Sequence, residues 1–165
     1  LPPLFVLAGV GFEQLNIKLK KFVWSAILII VVLFPNIFAI ASLHPYEYIY
    51  FNRLAGGVSG AYRNYELDYW LLSYREAIEY LNENAVPGAT VSVQNGYSLV
   101  AWVARGDLRL TGPIREFPPE NVKYVVVSTN LALDKELEGA LPNMIEIYAV
   151  VREGVPLTKV YQIVE

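Results

Sequence analysis

The chain contains no cysteine, a single histidine and a single methionine among its 165 residues. The missing cysteines exclude disulfides, thiolate metal sites and a cysteine nucleophile, and say little about compartment. One histidine with no cysteine partner falls short of a zinc-type ligand set. The sequence holds no Asn-x-Ser/Thr acceptor, Gly-x-Ser-x-Gly elbow, P-loop or dinucleotide fingerprint. Basic residues are few: 13 Lys and Arg stand against 16 Asp and Glu, a net charge of -3. No basic stripe follows residue 43, which argues against a nucleic-acid partner. No cofactor is evident in this segment, and whether a divalent metal takes part stays open. Internal repeats and low-complexity tracts are also absent.

What is present is apolar sequence without charge. Phe22–Leu43 is an uncharged run of 22 residues. A helix of that length spans roughly 33 Å, and a bilayer hydrocarbon core is roughly 30 Å thick. The run is too long for a secretory h-region and lacks a small-x-small cleavage site. It reads as a transmembrane helix over 22–43, kinked at Pro35; a buried core helix of a water-soluble protein is the other reading. Leu1–Gly11 is apolar and reads as the tail of a preceding span, which makes Phe12–Lys21 a short loop or interfacial helix. The chain opens on Leu1 rather than Met and reads as a piece of a longer, multi-pass protein. Lys18, Lys20 and Lys21 precede the span, so the positive-inside rule puts them in the cytoplasm and everything after residue 43 outside the cell membrane.

Residues 44–68 read as an interfacial connector. Nine aromatic residues fall between Tyr46 and Tyr74, the residue types that favour the headgroup layer. Leu54–Ala61, with three glycines, reads as a loop. Residues 69–165 then read as an extracytoplasmic α/β domain. Trp70, Leu71, Tyr74, Ala77, Ile78 and Leu81 recur at helical spacing from Tyr69, until Asn84, Pro87 and Gly88 stop the helix. Thr90–Gln94, Asp107–Leu110 and Lys123–Ser128 read as strands, with a helix over Tyr97–Ala104. Gly112-Pro113 and Pro118-Pro119 bracket a loop. Leu131–Leu141 reads as a helix capped by Asn130 or Thr129. Met144–Arg152 and Leu157–Val164 read as a hairpin turning at Glu153–Pro156. This alternation predicts a three-layer α/β domain with a mostly parallel sheet and a C-terminal antiparallel hairpin.

Three stretches carry a resemblance. They are Pro3–Gly11; His44-Pro45-Tyr46-Glu47-Tyr48-Ile49-Tyr50-Phe51-Asn52 with Leu54-Ala55-Gly56-Gly57; and Glu66-Leu67-Asp68-Tyr69-Trp70 running into Ser73-Tyr74-Arg75-Glu76-Ala77 and Tyr80-Leu81-Asn82. Together they resemble the C-terminal part of prokaryotic membrane glycosyltransferases of the dolichyl-phosphate-mannose-protein mannosyltransferase (protein O-mannosyltransferase) family. The match covers about residues 3–82; the rest matches only as a generic α/β domain. The resemblance implies hexosyl transfer from a polyprenyl-phosphate-linked sugar donor on the outer membrane face, to a protein or glycan acceptor. It also implies that the catalytic acidic residues lie in the first external loop of the whole enzyme, so this segment carries no catalytic residue and is inactive alone. Its domain would assist acceptor recognition or stability. The alternative is a non-enzymatic, membrane-anchored binding or assembly module.

The substrate-binding candidates are His44, Tyr46, Glu47, Asn52, Arg53, Arg63, Asp68 and Trp70. His44 either meets a lipid phosphate or caps the span, where a cation complements the helix dipole. Glu47, Glu66 and Asp68 are carboxylates beside the membrane. A glycosidase-like pair needs two carboxyls facing across a sugar, and Asp68 can equally cap the helix that follows it. Arg53 and Arg63 flank the glycine loop and suit a carrier phosphate or an anionic headgroup. The aromatic residues stack on sugars or form an interfacial belt. Asn95-Gly96-Tyr97 follows a strand, where open α/β sheets bind ligands, or is a plain turn.

Overall fold

A computed structural model describes residues 2–19, 22–115 and 121–164. Lys20 and Lys21, on which the orientation partly rests, and Pro118-Pro119 lie outside the described residues. Two compact units follow one another, Leu1–His44 and Pro45–Glu165.

The first unit is two helices that pack against each other, α1 (Pro2–Leu19) and α2 (Phe22–Ser42). α1 runs without a break through Leu19, so the residues after Gly11 continue its helix rather than forming a loop. Pro35 stands inside α2, and the Asn36 side-chain amide donates to the Val32 carbonyl at 2.8 Å, one turn back. α2 carries no acidic or basic residue and turns its apolar side chains outward, Phe38 being 67% exposed. It is not a buried core helix of this chain. Among the described residues, no helix is long and apolar enough to cross a membrane.

The second unit is mixed α/β. Its elements are α3 (Gly57–Ala61), α4 (Ser73–Asn84), β1 (Thr90–Val93), α5 (Tyr97–Val100), β2 (Arg109–Thr111), β3 (Tyr124–Ser128), α6 (Leu133–Ala140), β4 (Met144–Arg152) and β5 (Val155–Ile163). The five strands are ordered β2-β1-β3-β5-β4. β1 pairs parallel with β2 and β3, whereas β5 pairs antiparallel with β3 and β4. The sheet is therefore mixed rather than mostly parallel, because the hairpin adds its second strand, not its first, beside β3.

Strand alternation sorts the core into two faces. Val91, Val93, Val126 and Val160 share the face covered by α4, whose Tyr74, Ala77, Ile78 and Leu81 are all buried. Val125, Val127 and Tyr161 face Leu133, Leu137 and Leu141 of the α6 segment. Each fully buried valine contributes roughly 1.5–3 kcal/mol of transfer free energy, so the Tyr124–Ser128 run, buried throughout, centres the fold.

Local chemistry moves several boundaries. The helix expected from Tyr69 begins at Ser73, since Leu71 takes a left-handed φ of 53°. α5 ends at Val100, not Ala104, and β2 starts at Arg109, not Asp107. Before α6, Leu131 and Ala132 are both left-handed, and neither Thr129 nor Asn130 caps the helix. Leu54–Ala61 holds a short 3-10 turn and α3 rather than open loop. The hairpin turns on Glu153 (φ 47°) and Gly154 (φ 76°), with Val155 already in β5, as a two-residue turn with both φ positive requires. At the far end of α4, Arg105 donates to the carbonyls of Asn82 and Ala85 at 2.5 and 2.7 Å and pairs with Asp107 at 2.6 Å, satisfying carbonyls the helix leaves open.

Candidate functional site

The connector packs across the end of the sheet where β1 and β3 finish. Tyr74, the first buried aromatic of α4, fixes that end. Its hydroxyl donates to the Gln94 carbonyl and accepts from the Ser128 amide, at 2.5 and 2.9 Å, and burial raises its pKa above the usual phenol value. A Cβ on Gly96 would come within 2.5 Å of the Tyr74 ring. The Asn95-Gly96 turn is thus filled from below by tyrosine, at the place where open α/β sheets tend to bind ligands.

Asp68 is the hub of this end. Its carboxylate is fully buried. One oxygen accepts from the Tyr48 hydroxyl and from the Leu72 amide at 3.0 Å. The other accepts from the Ser73 hydroxyl and from the Ser73 amide at 3.2 Å. Four donors fill the lone-pair sites of one carboxylate. Ser73 then takes the Thr158 hydroxyl of β5 at 2.6 Å. Asp68 so holds the start of α4 through amides four and five residues downstream of it, a capping role with no oxygen left over for a substrate. Burial, followed by the Asp68 bond, raises the Tyr48 pKa.

A second carboxylate, Glu76, gathers three partners that sequence reasoning did not single out as a set. Tyr46 donates to it at 2.9 Å, Tyr148 at 3.3 Å and Arg152 at 2.6 Å. The Arg152 guanidinium also lies 4.3 Å from the Tyr46 ring centroid, and Tyr80 stacks on Tyr148 at 4.1 Å. Tyr46 is buried, and burial together with Glu76 raises its pKa. The motif residues Tyr46 and Tyr48 are therefore anchors of the domain.

Arg63 follows the glycine segment with a φ of 65°. Its guanidinium makes a bidentate pair with Asp134 of α6, at 2.8 and 2.7 Å, and donates to the Thr129 carbonyl at 3.2 Å. The Asp134 bonds raise the Arg63 pKa. Asp134 is fully buried, and Lys159 of β5 approaches it at 3.5 Å while pairing with Glu138 and Glu146 at 3.2 and 2.9 Å. The charge of Arg63 is spent on this network rather than on a phosphate.

Beside that pair opens a cleft of about 370 Å³. Tyr62, Asn64, Tyr65 and Glu66 line one wall, and Asn130 and Leu131 the other. The Asn130 side-chain oxygen accepts from the Leu67 amide at 3.1 Å and so ties the two walls together. Arg63, Leu131 and Ala132, three residues with left-handed φ, all border it; strained backbone of this kind concentrates at functional sites. Tyr65 and Glu66 are exposed, and Tyr65 stacks on Phe51 at 5.4 Å.

The other candidates lie on the surface or at turns. Asn52 caps the short turn Arg53–Ala55, its side chain accepting from the Ala55 amide at 3.0 Å. Arg53 is exposed, and Glu47 is half-buried in the turn Glu47–Ile49. Trp70 is 70% exposed and meets Tyr69 edge-to-face at 5.1 Å. His44 is exposed at the end of the first unit, its amide donating to the Ala41 carbonyl at 3.3 Å. Among the described residues, no group of three or more acidic, histidine or cysteine side chains is placed to hold a metal ion.

No family model, curated protein or solved structure matches this chain.

Proposed function

We propose that this chain is the C-terminal segment of an integral-membrane glycosyltransferase that uses a polyprenyl-phosphate-linked sugar. α2 anchors it in the bilayer, and the second unit works on the extracytoplasmic side. The observation that carries the reading is α2 itself, 21 residues without an acidic or basic side chain and with its apolar side chains outward. A helix of that length is roughly 31 Å long. Directly after it comes the His44–Asn52 motif that resembles the protein O-mannosyltransferase family. The catalytic carboxylates belong to another part of the enzyme, in keeping with the burial of Asp68 and the pairing of Glu76.

The cleft beside Arg63 is the part of this segment suited to an acceptor. The exposed Tyr65 ring presents apolar surface to sugar or peptide, and the Glu66 carboxylate presents a polar group. The test is transfer from a radiolabelled polyprenyl-phosphate sugar, in membranes holding the enzyme to which this segment belongs. Label should reach the acceptor, and Tyr65→Ala with Glu66→Gln should raise the acceptor KM and leave the donor KM unchanged. No transfer from any common donor would refute the reading and favour a membrane-anchored assembly module.

A further inference from the structure

The chain leaves the parallel strands in two directions. After β1 it passes to α5, which packs beside α4 on one face of the sheet; after β3 it passes to α6 on the other. Open α/β sheets bind ligands in the crevice where such exits part. Here the Tyr74 hydroxyl bridges Gln94 and Ser128 across that crevice. The next residues after Ser128, 129–132, border the cleft they share with residues 62–67.

The cleft measures about 370 Å³, the small end of the roughly 300–1,000 Å³ usual for ligand pockets. Its Glu66 carboxylate is exposed and pairs with no cation among the described residues. The Asn130 side-chain oxygen is taken by the Leu67 amide. Its NH2, a double donor, meets no acceptor among the described residues. Apolar surface comes from Tyr65, 61% exposed with Phe51 stacked against it, and from Leu131, 78% exposed. Leu131 has a φ of 51°, a backbone conformation unfavourable to a residue with a Cβ. A leucine held there in water adds nothing to the core, and an outlier of this kind points to function.

Two ligand classes fit this cleft poorly. The cation on its lining, Arg63, is already bonded to Asp134 and to the Thr129 carbonyl, and Glu66 repels an anion. An extended peptide adds to a free strand edge, but β3 lies between β1 and β5 and lends none. A sugar ring matches both kinds of group: its hydroxyls donate to a carboxylate and accept from an amide NH2, and its C–H groups cover apolar surface. We propose that the cleft binds a neutral pyranose, with Glu66 and Asn130 on its hydroxyls and Tyr65 and Leu131 against its C–H groups, so that the acceptor is a glycan. The binding stands on the cleft alone; the acceptor role rests on the glycosyltransferase reading.

Saturation-transfer NMR on the full chain, held in a detergent without a sugar headgroup, tests this. The probes are the methyl glycosides of mannose, glucose, galactose and N-acetylglucosamine, methyl glucuronide as the anion, and a short threonine-rich peptide. Saturation should reach the ring protons of a neutral glycoside. Tyr65→Ala should weaken that binding by about tenfold and Glu66→Gln by about threefold, with the thermal midpoint kept. Leu131→Gly should raise the thermal midpoint, because glycine accepts the left-handed backbone, and weaken the sugar. Saturation of the peptide in place of the sugars would overturn the pyranose and leave a glycosyltransferase with a protein acceptor. Tighter binding of the glucuronide than of every neutral glycoside would overturn it too. No saturation of any probe in a parent chain that unfolds cooperatively would remove the site, whatever the enzyme transfers. A neutral glycoside bound at Tyr65, in an enzyme that takes sugar from no common lipid donor, would uphold the site and refute the acceptor role alone.

Discussion

The Tyr48 hydroxyl donates to the Asp68 carboxylate, and the same carboxylate accepts the first amides of α4. One buried anion thus joins the aromatic motif to the helix that packs on the sheet. The connector is held by several such bonds, and from Pro45 onward it belongs to the same compact unit as the sheet.

Removing the Tyr48 hydroxyl should therefore weaken the whole second unit. A hydrogen bond to a charged group is worth about 1.5–3 kcal/mol, so Tyr48→Phe should cost about 2 kcal/mol. Asp68→Ala should cost more, since it strands the amides of Leu72 and Ser73. Urea unfolding of the chain in detergent measures both. The double variant should fall short of the sum by about 1 kcal/mol or more, as residues in one network do.

Gly96→Ala should destabilise by about 1–3 kcal/mol through overpacking. The new methyl meets the Tyr74 ring at 2.5 Å, and that ring cannot retreat because its hydroxyl is bonded on both sides. Gly106→Ala, with nothing within 4 Å of the new Cβ, should stay within about 0.5 kcal/mol of the parent. Thermal unfolding of the pair isolates the packing effect.

The two arginines flanking the glycine segment should separate cleanly. Arg63→Ala leaves Asp134 buried with only Lys159 nearby, and breaking a buried pair costs about 3–5 kcal/mol. Arg53→Ala should change stability by less than about 0.5 kcal/mol. A loss of sugar transfer in Arg53→Ala with unchanged unfolding would identify Arg53 as the phosphate-facing cation; unchanged transfer would leave it a surface residue.

Glu138 gives the fold an acid-sensitive contact. Hydrogen bonds from Lys135, then Tyr161, with Lys159 beside them, lower its pKa from 4.5 to about 2. A carboxyl depressed in the folded state adds stability above its unfolded pKa and loses it as pH falls toward its folded one. Stability should thus decline between about pH 4.5 and pH 2 more steeply in the parent than in Glu138→Gln. Unfolding midpoints across that range decide it.

Much of this architecture was legible in the sequence, and the failures have physical causes. The β3 run, the α4 periodicity after Ser73 and the β4–β5 turn follow from local pattern. The start of α4 did not, because Trp70 and Leu71 fit the helical spacing while Leu71 sits in a left-handed turn imposed by the Asp68 cap. The place of β5 at the sheet interior was hidden by Lys159, which reads as a surface residue until three carboxylates gather around it. Of the candidate residues, the anchoring roles of Tyr46, Arg63 and Asp68 depend on partners up to 106 positions away in the chain, such as Arg152, and short-range pattern carries no trace of those.

The central claim is that α2 crosses a bilayer with the α/β unit outside. The absence of cysteine allows a direct test with single cysteines placed at Gln14 and at Gly106 in intact cells. A membrane-impermeant maleimide should label Gly106→Cys at once and Gln14→Cys only after the membrane is permeabilised. Equal labelling of both sites before permeabilisation, or recovery of the chain in the soluble fraction without detergent, would contradict it.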